Sequence, residues 1–332
     1  MMRWLSLGIA IGLVFSLVIV AFYPSNNDYS LQNPYWNGMS DLKNLIHPIM
    51  VANDANLSLL YAAQPPGNFI LLELGPTLPY SQQDIKAISS FVSQGGSLVI
   101  ADDFGSGNQL LQGLNLNIRF AGILLLDPVF NVKVEQLPLI TSINIKGIRS
   151  IAFNYATYLN FSAPGALNYS ANILAYSSSF SFADLRQTGS YAAGDISGPL
   201  PVIATVNYSA GRIIVISDSS LFLNSMLNQA DNLALLNALI SGKKPLIDTS
   251  HWIYSYQSEA SILVHSVYNF IRNTGSNYAI AAVVVFLIAR IKFKAASSRG
   301  REEISILRKH PDWDSEMFLR LQQERQKLRR DH

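Results

Sequence analysis

The sequence predicts an α/β protein built on an open, mostly parallel β-sheet. The run over residues 68–74 is almost continuously apolar, as expected for a strand that is covered on both faces. A helical pattern follows it, Gly95 and Gly96 end that pattern, and a second apolar run covers residues 97–101. This unit of about 35 residues has the length of a strand–helix–strand crossover between parallel strands.

The helix of this unit carries a start signal as well as a hydrophobic face. Ser81 followed by Asp84 is a capping-box pattern, in which each side chain accepts a hydrogen bond from the other residue's backbone. Apolar side chains then recur at helical spacing at Ile85, Ile88, Phe91 and Val92. We therefore expect a helix that packs one face against the sheet.

The remaining elements complete the sheet. Short β-type runs separated by turn residues predict a mostly β insertion over about residues 120–200. Residues 201–217 alternate around Ser209-Ala210-Gly211, which predicts a hairpin. A helical stretch that Gly242 ends and a last strand over residues 247–252 follow.

The two ends of the chain predict membrane anchoring. Residues 4–22 carry no charge, and residues 278–293 form a second apolar segment followed by a dense basic block. A signal peptide for the first segment and a buried core helix for the second are the alternatives. Of the 332 residues, 14% are charged and 49% are hydrophobic, a composition that suits a membrane-attached globular protein.

The charges support one orientation of that arrangement. Residues 24–277 carry 11 basic and 15 acidic residues, whereas residues 290–332 carry 12 basic and 7 acidic residues. By the positive-inside rule both termini lie in the cytoplasm and the main domain lies outside it. The predicted divisions are an anchor at 1–23, an α/β domain at 24–255, a juxtamembrane helix at 256–277, a transmembrane helix at 278–293 and a basic cytoplasmic tail at 294–332.

Polar residues follow three of the predicted strands. In open α/β sheets ligands bind at the carboxyl ends of the strands, so these residues are the candidate ligand-binding site. The helix N-termini there suit an anion, and the carboxylates suit a cation or a hydroxyl-rich ligand. The alternative is that Asp and Ser at these positions only cap helices. The candidates are Asn37, Gly75, Thr77, Asp102, Asp103, Asn108, Asp218, Ser219 and Asn224.

Several chemistries are excluded or unsupported. The chain has no cysteine, which excludes disulfides, thiolate metal sites and cysteine nucleophiles. Gly105-Ser106-Gly107 matches neither a phosphate-binding loop nor a dinucleotide fingerprint. His47, His251 and His265 stand alone, without metal-ligand spacing. The sequence therefore predicts no cofactor, no metal and, because the main domain is acidic, no nucleic-acid partner.

The motifs resemble an archaeal family called domain of unknown function 4350. The resemblance rests on Gly75-Pro76-Thr77, on Ala101-Asp102-Asp103-Phe104-Gly105 and on Asp218-x-Ser220-Leu221-Phe222-x-Asn224. It implies a membrane-anchored fold similar to class I glutamine amidotransferases, of the flavodoxin-like class and without assigned activity. Amidotransferases of that fold use a cysteine nucleophile, which this chain lacks. Related folds in auxiliary subunits of export and gliding systems imply binding or assembly roles.

The first functional hypothesis is a non-catalytic extracytoplasmic module that binds a glycan, a peptide or a partner protein at the strand ends. One alternative is a carboxylate- or metal-dependent hydrolase that uses Asp102, Asp103 and Asp218. The other is an accessory subunit of a transport or assembly complex. The expected partners are the lipid bilayer and a protein, the latter through the basic tail.

Overall fold

The computed structural model describes residues 25–51, 63–161 and 171–253, together with isolated positions elsewhere. The chain divides into two compact units, residues 1–261 and 262–332, and the elements below belong to the first.

The described part contains fifteen strands, numbered in chain order. They are β1 (Ile49–Val51), β2 (Phe69–Leu74), β3 (Ser97–Ala101), β4 (Arg119–Phe120), β5 (Leu125–Leu126), β6 (Leu139–Ile140), β7 (Ser142–Ile143), β8 (Ile151–Ala152), β9 (Leu159–Asn160), β10 (Ala171–Tyr176), β11 (Phe182–Ala183), β12 (Ile196–Ser197), β13 (Pro201–Tyr208), β14 (Gly211–Ile216) and β15 (Lys244–Asp248).

Four α-helices and two 3₁₀ turns accompany these strands within the described residues. The helices are α1 (Ser40–Ile46), α2 (Gln82–Ser93), α3 (Gly107–Gly113) and α4 (Asn232–Ile240), and the turns are Pro66–Asn68 and Ser220–Phe222. The predicted capping box is confirmed, since Asp84 N–H donates to Ser81 Oγ and Ser81 N–H donates to Asp84 Oδ2.

Eight strands form the main sheet in the order β1-β15-β2-β3-β14-β13-β10-β7. The neighbours from β1 to β14 are parallel, and those from β14 to β7 are antiparallel. The prediction of a mostly parallel sheet is therefore corrected to a mixed one. The tight turn between Tyr208 and Gly211 reverses the chain, and β10 and β7 extend the antiparallel side.

The strand order also departs from the flavodoxin-like class. That class places its strands in the order 2-1-3-4-5, with the last strand at an edge. Here β15 is the last strand of the parallel block in the chain, yet it lies between β1 and β2. The predicted class is therefore wrong in its topology, because the chain returns across β3 and β2 before it forms β15.

The prediction of two flanking transmembrane helices is corrected as well, because the described part of the chain gives it no support. Spanning a bilayer takes about 20 mainly apolar residues in one helix. Among the described residues no helix has both the length and the apolarity to do so, and α2 has 12 residues. Apart from isolated positions, residues 4–22, 256–277 and 278–332 lie outside the described part of the chain.

Both faces of the main sheet are covered. Alternate residues of β2 point to opposite sides, so Ile70, Leu72 and Leu74 join one apolar core and Leu71 joins the other. Helices α2 and α3 and strands β4 and β9 cover the Leu71 side, while α1, α4 and strands β5, β6, β8 and β11 cover the opposite side. This layering leaves the strand ends as the place where polar side chains gather.

Candidate functional site

Loops from four parallel strands meet at one edge of the sheet. Strands β2, β3, β14 and β15 run in the same direction, so their carboxyl ends lie together. The predicted residues Gly75, Thr77, Asp102, Asp103, Asp218 and Ser219 all follow these strands.

Asp102 uses both carboxylate oxygens to hold the loop that follows β3. Oδ1 accepts hydrogen bonds from the N–H groups of Asp103 at 2.8 Å and Gly105 at 3.0 Å, and Oδ2 accepts from Gly107 at 2.7 Å. A Cβ at Gly107 would lie 2.6 Å from Asp102 Oδ2, so the loop has no room for a larger residue there. Burial raises the pKa of Asp102 to about 6, while these N–H donors lower it and the Asp103 charge raises it.

Asp218 has an equivalent structural role after β14. Its Oδ1 accepts at 2.7 Å from the N–H of Ser220, the first residue of the following 3₁₀ turn, and its Oδ2 accepts from Asn154 N–H at 2.7 Å. Burial raises its pKa well above the ordinary value, with a further increase from the Asp103 charge. These contacts fit the capping interpretation of both carboxylates better than an acid–base role.

Asp103 belongs to a hydrogen-bond chain that joins three segments. Ser219 Oγ donates to Asp103 Oδ2 at 2.7 Å and accepts from the Tyr29 hydroxyl at 2.5 Å. Burial and then the Asp103 charge raise the pKa of Tyr29, so its hydroxyl keeps its proton and acts as the donor. Ser219 is only 1% exposed, so these buried hydrogen bonds connect the segment before α1 to the edge of the sheet.

Gly75 provides the space for Tyr29. Its φ is +57°, and a Cβ there would lie 2.7 Å from Tyr29 Cε1. Neighbouring Thr77 donates its hydroxyl to the carbonyl of His251 at 3.2 Å and accepts from Ile253 N–H at 3.1 Å. The loop after β2 is thus connected to the chain that follows β15.

The three predicted asparagines connect backbone segments, Asn37 and Asn224 around the segment before α1 and Asn108 between α3 and β4. Asn108 donates to the carbonyl of Phe120 and accepts from its N–H, both at 2.9 Å. Asn224 donates to the carbonyl of Tyr35 at 2.7 Å and accepts from Asp41 N–H at 3.0 Å. Asn37 donates to a carboxylate oxygen of Asp28 within the segment before α1. The structure does not bring these side chains together into one ligand site.

An open pocket of about 510 Å³ lies at this edge, and most of its lining residues were not among the predicted candidates. Asn27 contributes an amide nitrogen that is buried and has no hydrogen-bond partner. Thr77 is the one predicted candidate in the lining. The lining residues are Asn26, Asn27, Asp28, Tyr29, Thr77, Trp252 and Ile253.

A second group of polar side chains lies below this edge, on the α2 side of the sheet. Glu73, Asp248 and His251 each offer one potential ligand atom, and these atoms lie within 4.8 Å of one another. His251 Nδ1 lies 2.5 Å from Asp248 Oδ2, and the Tyr80 hydroxyl donates to Glu73 Oε2 at 2.8 Å. The Tyr80 and His251 rings stack with their centroids 3.9 Å apart. We call Glu73, Asp248 and His251 the Glu–Asp–His cluster.

Sequence reasoning missed this cluster and interpreted His251 as an isolated histidine. Two signals pointed to it. Glu73 is a charged residue inside an otherwise apolar buried strand, where an unpaired charge is costly. Asp248 and His251 are three residues apart within the strand predicted over residues 247–252. Neither signal shows that the two segments are neighbours, because that depends on strand order.

Comparison with known proteins assigns the chain to a family. A sequence model described as domain of unknown function (DUF4350) matches residues 32–240, which is more than half of the chain. The chain belongs to the DUF4350 family. No curated protein gave a match.

Solved structures similar to this DUF4350 protein share little of its sequence. The mmIFT52 N-terminal domain is 12% identical with a TM-score of 0.42, covering 57% of this chain and 82% of that one. A putative ThuA-like protein from Bacteroides uniformis is 15% identical with a TM-score of 0.32, covering 53% and 70%. A β-galactosidase from Bacillus circulans sp. alkalophilus is 13% identical with a TM-score of 0.32, covering 57% and 27%. These scores are too low to support an argument about fold or function.

At the strand ends of the DUF4350 domain, the predicted carboxylates and Ser219 are engaged in contacts within the protein. Asp102 and Asp218 are occupied by backbone N–H groups, and Ser219 is buried between Asp103 and Tyr29. The pocket beside them offers amide, carboxylate and apolar surfaces instead.

Proposed function

We propose that this protein is a binding module and that a glycan occupies the pocket at the carboxyl ends of β2 and β15. The observation that carries the proposal is Asn27, which lines the pocket and whose amide nitrogen is buried without a hydrogen-bond partner. A buried donor that bonds to nothing costs about 1–3 kcal/mol. A ligand oxygen that accepts its hydrogen bond removes that cost.

The other lining residues suit a sugar better than a purely apolar or purely charged ligand. Asn26 and Asp28 are exposed at the pocket and supply hydrogen-bonding groups for hydroxyls. Ile253 is 64% exposed and offers an apolar surface for the C–H face of a sugar ring. The pocket volume falls in the range of about 300–1,000 Å³ that is usual for small-ligand sites.

The contacts at the strand ends support a role without catalysis. A hydrolase that uses Asp102, Asp103 and Asp218 needs carboxylate oxygens free to reach a substrate. Asp102 and Asp218 instead accept from backbone N–H groups with both oxygens, and the Asp103 side chain bonds Phe104 N–H and Ser219. These contacts argue against the hydrolase alternative.

The proposal also includes two expectations from the family resemblance, a relation to glutamine amidotransferase-like folds and an archaeal origin. The block of five parallel strands and the absence of a cysteine nucleophile support a module that binds without amidotransferase chemistry. Assembly through the basic tail and an extracytoplasmic position stay predictions, since the tail lies outside the described residues.

A glycan array probed with the purified full-length protein tests this function. We expect retention of a small set of glycans and saturable binding in calorimetry. Replacing Asn27 by Ala removes one hydrogen bond to the ligand, so the affinity should fall roughly threefold to tenfold.

The control variant is Asn172→Ala, which changes an exposed asparagine of β10, away from the pocket. Its affinity should equal that of the wild type. Capture of no glycan, capture only of peptides from a parallel peptide array, or equal affinities for Asn27→Ala and the wild type would each contradict the proposal.

A further inference from the structure

We propose that the Glu–Asp–His cluster binds a divalent transition-metal ion, with Zn²⁺ as the preferred ion. The cluster lies between the sheet and the start of α2, separate from the residues that line the pocket. The inference does not depend on the proposed glycan-binding function.

Strand register brings the three side chains together. In the parallel pair of β15 and β2, Ile247 lies opposite Leu72, so the next residues, Asp248 and Glu73, are neighbours on the same face. The chain turns directly after β15, where Ser250 N–H and Ser250 Oγ both donate to Asp248 Oδ1 at 2.7 and 2.6 Å. This turn places the His251 ring back over the carboxylate of Asp248.

An independent observation indicates that something is missing from the cluster. Glu73 is 1% exposed, its carboxyl group lies against that of Asp248, and its Oε1 is buried without a hydrogen-bond donor, although Oε2 accepts from Tyr80. Buried carboxylate oxygens without partners are rare because removing them from water costs several kcal/mol. A cation that Oε1 coordinates would provide the missing interaction.

The charges around the cluster also call for a cation. Glu73 and Asp248 are buried, and a third carboxylate, Asp84 Oδ2, lies 3.6 Å from His251 Nε2. Within the described residues, His251 is the one basic side chain that pairs with any of these carboxylates, and no lysine or arginine does. Buried carboxylates are found paired with a positive group or bound to a metal ion.

The donor set selects the kind of ion. One imidazole nitrogen and two carboxylate oxygens suit Zn²⁺ or a similar first-row ion better than Ca²⁺ or Mg²⁺, which prefer oxygen ligands alone. Glu73, Asp248 and His251 are at most 5% exposed, so the ion would be structural. It would stabilise the turn after β15, whose His251 carbonyl accepts from the N–H groups of Thr77 and Leu78.

Metal content and thermal unfolding of the full-length protein test the site. The protein is stripped with a chelator, dialysed against excess Zn²⁺ and then against metal-free buffer, and its zinc is measured by mass spectrometry. We expect one zinc ion per chain and a melting temperature that rises with Zn²⁺ concentration, because an ion that binds only the native state stabilises it.

The decisive variant is Glu73→Gln, which keeps the shape and the acceptor for Tyr80 but removes the charge. We expect its zinc affinity to fall by roughly a hundredfold or more, because even the loss of a residue that only supports a metal ligand lowers metal affinity by about 10–100-fold. Glu135→Gln, which changes a carboxylate outside the cluster, should bind zinc as the wild type does.

Two results would overturn the inference. One is a folded wild-type protein that retains no zinc and shows no zinc-dependent melting temperature, as expected if Glu73 is simply protonated. The other is zinc retention by Glu73→Gln equal to that of the wild type. If Glu73→Gln does not fold, the wild-type zinc content and melting temperature decide the question.

Discussion

At the residue scale, Asp102 shows how a carboxylate in a ligand-site position can have a structural role. It is 2% exposed, and its carboxylate accepts hydrogen bonds from three backbone N–H groups of the loop that follows β3. The sequence left capping and ligand binding as alternatives, and the short distances to Gly105 and Gly107 favour capping. The penalty of burial exceeds the help from these donors, since the pKa of Asp102 is raised.

This raised pKa predicts a pH-dependent stability. The folded-state pKa of Asp102 is about 6, above the ordinary value of 3.8, so between these values the unfolded chain has lost a proton that the native state still holds. As the pH rises through that window, the free energy of unfolding therefore falls by about 1.4 kcal/mol per pH unit, for a total of ~3 kcal/mol. Asp102→Asn has no such titration, so denaturant unfolding at about pH 4 and about pH 7 should show a smaller loss for the variant than for the wild type.

The control is Asp231, a carboxylate whose pKa is shifted in the opposite direction. Hydrogen bonds from Arg149 and Ser150 N–H lower the pKa of Asp231, so its contribution to stability is lost as the pH falls. Asp231→Asn should therefore reduce the loss of stability in acid and leave the decrease above about pH 4 unchanged. A pH profile of Asp102→Asn parallel to that of the wild type would show that Asp102 titrates normally.

At the element scale, helix α4 is fastened to the short strands by one buried side chain. Asn232 accepts from Ala152 N–H and donates to the carbonyls of Ala152 and Met226, each at 2.9 Å. Strand β8 has only two residues, so its own ladder supplies few hydrogen bonds. The packing of this region against the sheet therefore depends on side-chain contacts more than on strand pairing.

Replacing Asn232 by Ala should destabilise the protein strongly. The change leaves the buried N–H and carbonyl of Ala152 without their partner, which costs roughly 2 kcal/mol or more, while the Met226 carbonyl still accepts from Gln229 N–H. Denaturant unfolding measures this loss. Asn237→Ala, at an exposed position of the same helix, should change stability by less than about 0.5 kcal/mol. Equal stabilities of the two variants would show that the Asn232 contacts contribute little.

At the scale of the whole molecule, the important feature is the position of β15. The family match ends at residue 240, but β15 follows it in the chain and lies inside the sheet between β1 and β2. The pocket and the Glu–Asp–His cluster both depend on it, because Trp252 and Ile253 line the pocket and Asp248 and His251 form the cluster. The segment outside the family match is thus part of the fold and of both sites.

A chain that ends at residue 241 should therefore fail to fold cooperatively. Without β15, β1 loses its partner and β2 loses one of its two neighbours, and the buried side chains of Leu246 and Ile247 are removed. Thermal unfolding followed by circular dichroism should show a broad, weak transition, whereas a chain that ends at residue 253 should unfold as the full-length protein does. A sharp transition at the same temperature for both would contradict this role of β15.

The sequence by itself determined the local elements. The apolar runs of β2 and β3, the capping box of α2 and the hairpin of β13 and β14 match the structure closely. Each of these signals lies within a few neighbouring residues, through hydrophobic periodicity, caps or turn residues. The polar character of the strand ends was also evident from sequence alone.

The tertiary structure alone decided which distant residues meet. Periodicity does not determine strand order, so the insertion of β15 and the addition of β10 and β7 beside the predicted hairpin were not predicted. For the same reason Glu73 and His251 remained unconnected, and Tyr29 was not expected beside Gly75 and Ser219. Each of these contacts joins segments far apart in the chain, and burial in one shared core holds them together.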